Sequence, residues 1–163
     1  MRIELTEKEL VKIGTYGLQR CAMSLSVGRR GAHGFDRNHE RWQIDVEGVL
    51  TEYAAAKALG VSYHPVTDRS DTELGDIAPG LQVRGTKYPN GNLIMHKTDV
   101  DEHVFILVTG VYGRYDVRGW IQAKEGKKQK YWRGNPANTR PPCFWVPQDA
   151  LKPIDTLRWP GLK

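Results

Sequence analysis

The stretch GDIAPGLQVRGT, residues 75–86, sets Asp76 ahead of an Ala78-Pro79-Gly80 turn and then alternates Leu81 and Val83 with Gln82 and Arg84. Such alternation belongs to a strand with one buried face, so Gln82 and Arg84 share a side and the turn brings Asp76 back toward them. Upstream, Glu52 has Val49, Ala55, Ala56 and Leu59 as its helical neighbours, the apolar face of a helix. A carboxylate in that position needs a cation or a network of donors. Glu52 and Asp76 offer hard carboxylate oxygens, Gln82 an amide oxygen, and Val83 a backbone carbonyl. Oxygen-only ligation with few protein groups and several waters is what Mg²⁺ prefers. The competing reading makes Asp76 a turn residue, Gln82 and Arg84 the wet side of a half-exposed strand, and Glu52 a boundary residue in water.

This order of elements resembles the PD-(D/E)xK nuclease superfamily: a helix with an inward Glu52, Asp76 before a hairpin, then Gln82-Val83-Arg84. The likeness spans residues 45–110, and the later segments GVYGRYDVRGWIQAKEG and CFWVPQDALKPIDTL look like small phage-type proteins attached to that superfamily. The resemblance implies one domain over residues 1–163 with a restriction-endonuclease-like fold, a mixed central sheet flanked by helices. It implies a Mg²⁺ ion, with Mn²⁺ as the alternative, held by Glu52, Asp76, Gln82 and Val83. The activity it implies is phosphodiester hydrolysis of nucleic acid, DNA before RNA, with Glu52, Asp76, Gln82 and Arg84 as the catalytic set. Two positions depart from the family pattern. Gln82 stands where an acid is usual, which removes a negative charge from the metal site. Arg84 stands where a lysine is usual, and a guanidinium stays protonated, so it can stabilise phosphoryl charge but cannot act as a base. Those departures keep two alternatives open: a catalytically silent nucleic-acid-binding module on the same fold, and a phage accessory protein acting on a protein partner.

A second constellation repeats the spacing with the usual lysine: Asp116, then Gln122 and Lys124. No helix with an inward carboxylate closely precedes it, and Lys124 belongs to the cationic run Lys124, Lys127, Lys128 and Lys130, so it ranks behind the first. Residues 112–134 hold seven Lys or Arg against two acids, whereas residues 45–76 hold seven acids against Lys57 and Arg69. A basic block suits a polyanion and an acidic block a hard cation. Lys124, Lys127, Lys128, Lys130, Trp132 and Arg133, with Arg29 and Arg30 of a glycine-rich basic loop, are therefore the expected nucleic-acid contacts.

The positioning elements follow from periodicity and punctuation. Thr6 and Glu9 form a capping box ahead of Leu10, Ile13, Gly14, Gly17, Cys21 and Leu25 at helical spacing, which predicts a first helix. A second helix is expected from Asp45 as N-cap to Gly60 as its stop. Strands are expected at 75–77, at 81–86, after the Pro89–Asn92 turn, across the apolar run HVFILVTGVY as a buried central strand, and in YDVRGWIQAKE, and PPCFWVPQDALKPIDTL closes with a strand and a short helix or turn. Helices first and a sheet afterwards make a mixed α/β (α+β) domain. With 163 residues, 39% hydrophobic and 26% charged, the composition suits one folded domain and not a disordered chain. No apolar run suggests a membrane span and the N-terminus lacks a signal core, so the expected place is the cytoplasm, that of the host if the chain is phage-encoded. Cys21 and Cys143 form no CxxC pair, which fits a reducing compartment. No HExxH, nucleophile elbow or P-loop is present.

Overall fold

In the computed structural model the chain is described at residues 1–26, 41–65, 75–134 and 142–160. The fold is mixed α/β, built from a helical pair, a four-stranded sheet and a smaller three-stranded sheet. Helix α1 (Glu7–Ser26) begins at the expected capping box: the Thr6 amide donates to Glu9 Oε2 at 2.7 Å and the Glu9 amide to Thr6 Oγ1 at 3.3 Å. Its buried side carries Ile13, Gly17, Arg20 and Cys21, while Leu25 is exposed, against the helical spacing that placed it inward.

Helix α2 spans Arg41–Leu59, so Asp45 lies inside it and is not its N-cap. Packing overrides the local capping preference here. A Cβ on Gly17 would sit 2.5 Å from Val46 Cα, so the backbones of α1 and α2 touch at Asp45–Val46, and helix must already be formed there. The C-terminus closes as expected at Gly60, with the Gly60 amide donating to Lys57 O and the Val61 amide to Ala56 O. That pair of bonds is the Schellman pattern.

The larger sheet runs β1 (Arg2–Glu4), β5 (Arg114–Gln122), β4 (Val104–Val111), β2 (Leu81–Thr86). β2 is parallel to β4, and β5 is antiparallel to both β4 and β1. The apolar run is indeed the central strand, buried through Thr109. β1 carries only three residues and no alternation long enough to read from sequence. The expected strand at 75–77 is instead a tight turn: the Asp76 and Ile77 amides both reach Leu81 O, and only the Ala78–Leu81 bridge remains.

The two faces of the sheet are covered differently. α1 and α2 pack on one, burying Val49, Ala54, Leu81, Val83, Ile106 and Val108. The other is covered by the sheet of β3 (Leu93–Met95), β7 (Cys143–Val146) and β6 (Trp132–Arg133), beside the single turn of α3 (Ala123–Gly126), around Phe105, Leu107 and Met95. The expected mixed α/β fold is found, with the two long helices on one face of the sheet. Continuous apolar character in β4 demands cover on both sides, and a second sheet provides it as well as helices do. No helix of the described residues is long and apolar enough to cross a membrane.

Candidate active site

Alternation along β2 sends Leu81 and Val83 to the helical layer and Gln82 and Arg84 to the other face. Gly85 lets β2 close on α2, since a Cβ there would lie 2.9 Å from Thr51 Oγ1. β2 is the outer strand of the described sheet, and the Val83 amide donates not to a neighbouring strand but to Asp76 Oδ2, at 2.7 Å. A cavity of about 650 Å³ wraps this edge. From the helical side it is lined by Asp45, Glu47, Thr51 and Glu52, from the edge by Asp76, Val83 and Gly85, and from the far side by Arg84, Lys87 and His96. Glu52 and Asp76 are thus brought to one cavity, as is Arg84. Gln82 is half-buried and is not among the residues that line it.

Glu52 is 4% exposed, and its partner is a residue the sequence reading missed. Arg20 of α1 donates to both carboxylate oxygens, at 2.8 and 3.0 Å, and the Tyr63 phenol donates to Oε2 at 2.6 Å. A bidentate, charge-assisted pair of this kind is strong only because both ions are held and satisfied. Burial would pull the Arg20 guanidinium down, but the hydrogen bonds and charge of Glu52 outweigh it and hold Arg20 above its ordinary value, with smaller help from Tyr63 and Asp76. Burial, then the charge of Glu52, pushes the Tyr63 phenol well above its ordinary range. A signal for Arg20 existed: it follows Ile13 and Gly17 at helical spacing, an arginine on the buried face of α1 matching an acid on the buried face of α2. Tyr63 carried no such signal.

Arg84 is positioned from three sides. Its Nη2 meets Asp99 Oδ1 at 3.4 Å, its Nη1 meets Val83 O at 3.4 Å, and its guanidinium carbon lies 4.8 Å from the centre of the Phe105 ring. Asp99 is itself fixed, accepting from the His96 amide at 2.8 Å. Glu47 takes the Tyr112 amide at 3.1 Å and the Tyr115 phenol at 2.7 Å, so it ties α2 to the β4–β5 hairpin.

The donor set suits a hard cation that keeps most of its water. Asp76 lies at the Val83 amide on the sheet edge, while the Val83 carbonyl accepts from Arg84, and one or two carboxylates are what Mg²⁺ takes from a protein. Glu52 is already shared between Arg20 and Tyr63. Among the described residues, no three His, Cys, Asp or Glu side chains form a group that could hold a metal by side chains alone.

The rival constellation does not converge. Asp116 and Gln122 sit six residues apart on β5, about 20 Å at strand rise, with Asp116 opposite Thr109 and Gln122 opposite Val104. Asp116 pairs with Arg2 and Arg118, and Gln122 donates to Glu102 O. Of the expected nucleic-acid contacts, Arg29 and Arg30 lie outside the described residues. Lys124, Lys128, Lys130 and Arg133 are exposed. Lys127 is clamped inward, donating to Asp99 O at 2.6 Å and ion-paired with Asp101. Trp132 packs edge-on against Phe144 with ring centres 4.8 Å apart, and Lys97 lies over it. Compared with protein-family models, curated protein sequences and solved structures, the chain finds no match.

Proposed function

We propose that this chain is a metal-dependent phosphodiesterase acting on nucleic acid, DNA before RNA, and resembling the PD-(D/E)xK nucleases in its site. One observation carries the reading: Asp76 sits at β2, the outer strand of the described sheet, one oxygen on the Val83 amide, in a cavity that also takes Glu52 and the cations Arg84 and Lys87. A Mg²⁺-class ion held by Asp76 and the Val83 carbonyl, beside Glu52, would supply Lewis acidity and a bound water of lowered pKa. Asp76 is kept oriented by its hydrogen bond to the strand. Arg84 approaches from the opposite face, always charged and preformed against Asp99 and Phe105, and suits the equatorial oxygens of a phosphoryl group in transit. It cannot take a proton from water.

Plasmid and single-stranded DNA incubated with Mg²⁺ or Mn²⁺ test this, with Asp76→Asn beside the wild type. Cleavage by the wild type that falls about 10²–10³-fold or more in the variant is expected. Absence of cleavage in either metal overturns the reading. A silent binding module is the second reading, favoured by one specific observation: Arg20 already supplies Glu52 with a counter-charge from the protein itself. Salt-sensitive DNA binding without cleavage would select it.

A further inference from the structure

The β4–β5 hairpin turns through two residues, Tyr112 and Gly113, between the paired Val111 and Arg114. Both have positive φ, 55° and 80°. This is the backbone of a type I′ turn, in which asparagine or glycine is favoured at the first position and a bulky side chain is disfavoured. Tyr112 is the only non-glycine residue with positive φ among those described, and the residue is 73% exposed. The strain is held from the helical side of the cavity: Glu47 takes the Tyr112 amide, and Gln43 donates to the phenol oxygen at 3.4 Å. Gln43, Glu47 and Val111 all line that cavity. Ile44, 55% exposed, lines it too, and Trp42 beside it is exposed. Past the other wall, Lys87 lines the cavity and its ammonium lies 5.5 Å from the ring centre of the exposed Tyr88.

We propose that this aromatic rim receives an unpaired strand of nucleic acid, with Tyr112 stacking on a base while the adjoining phosphate enters the cavity toward Arg84 and Lys87. The proposal rests on the phosphodiesterase reading and narrows its substrate to single strands or strand ends. Base faces are open to a ring only outside the duplex stack, and stacking on exposed aromatics is indifferent to sequence. Arg84 and Lys87 on the far wall complement a phosphate, in a cavity whose other walls carry the carboxylates Asp45, Glu47, Glu52 and Asp76. The two-residue hairpin demands a positive φ at Tyr112, and Glu47 and Gln43 hold it, but nothing in the turn requires an exposed tyrosine there, and strained residues gather at ligand sites.

The test is fluorescence anisotropy of a labelled oligothymidylate and of a labelled duplex, both in EDTA so that nothing is cut. Wild type, Tyr112→Phe and Tyr112→Gly are compared. The single strand is expected to bind more tightly than the duplex, Tyr112→Phe to bind as wild type, and Tyr112→Gly to bind about 5- to 100-fold more weakly. Thermal melting guards against a folding artefact, because glycine takes this φ freely and the melting temperature should hold or rise. Equal binding by Tyr112→Gly, or a duplex bound as tightly as the single strand, overturns the proposal. So does self-association of the wild type that Tyr112→Gly abolishes without change in DNA binding, which would make the rim an interface between copies. If the binding pattern holds but Mg²⁺ brings no cleavage, the phosphodiesterase reading falls alone. If cleavage persists with Tyr112→Gly binding unchanged, only the rim falls.

Discussion

Glu52 shows how a residue can be read correctly as anomalous while its explanation stays hidden. Its place on an apolar helical face was legible because helix period fixes which neighbours share a face. What satisfies it was not, because Arg20 lies 32 residues away and only tertiary packing brings the two together. The pair has an energetic consequence. Removing one partner of a buried ion pair leaves the other charge uncompensated, and Glu52→Ala should destabilise the fold by about 3–5 kcal/mol. Adding Arg20→Met to it should recover a large part of that loss, since the stranded cation is then gone. Urea denaturation of the two proteins reads the difference, and a double variant no more stable than Glu52→Ala would show that the pair is not the source.

At the scale of elements, what was legible had a local cause. The capping box, the helix stop at Gly60 and the nearly continuous apolar run of β4 each follow from a few consecutive residues, and each is found where expected. The misses were non-local. The start of α2 is set by its contact with α1 and the turn at 76–80 by hydrogen bonds to Leu81 O, while β1 and β6 are too short to show a period. Of the candidate site, Glu52, Asp76 and Arg84 were legible from alternation and spacing, whereas the side chain of Gln82 is not among those lining the cavity. The α1–α2 contact gives the element-level prediction. Gly17→Ala places a Cβ 2.5 Å from Val46 Cα, a backbone atom that cannot rotate away, so the helices must separate. The expected loss is about 1–3 kcal/mol despite alanine's better helix propensity, measured by thermal or chemical denaturation. A more stable Gly17→Ala would mean that the helices do not meet there.

For the whole molecule, two phenols, of the partly buried Tyr63 and the buried Tyr115, link stability to alkaline pH. Burial first, then Glu52 at Tyr63 and Glu47 at Tyr115, raises both well above the ordinary tyrosine value. Below the unfolded value of about 10 both phenols are neutral in either state, and this stabilisation is fully present. As the pH rises above it, the unfolded chain releases protons that the folded chain retains, so stability falls. Both residues bind carboxylates that fix α2, one to α1 and one to the hairpin, so loosening is expected across the whole domain. Absorbance at 295 nm followed against pH should show these two tyrosines ionising together with loss of the helical circular dichroism signal, and not before it. Independent ionisation at ordinary pH values would contradict their burial.

The hydrogen bond from Val83 to Asp76 has a meaning apart from chemistry. An outer strand with free amides is a template on which a second chain can add a strand, and proteins that leave such an edge bare tend to aggregate. Here, among the described residues, a side chain from the preceding turn takes the place of a neighbouring strand at Val83, while Leu81 O is occupied by the turn's own amides. The carboxylate that the proposed chemistry requires is therefore also the guard of the sheet edge at Val83. Asparagine keeps an acceptor for the Val83 amide and removes only the charge, whereas alanine removes both, so it is Asp76→Asn that separates the two roles.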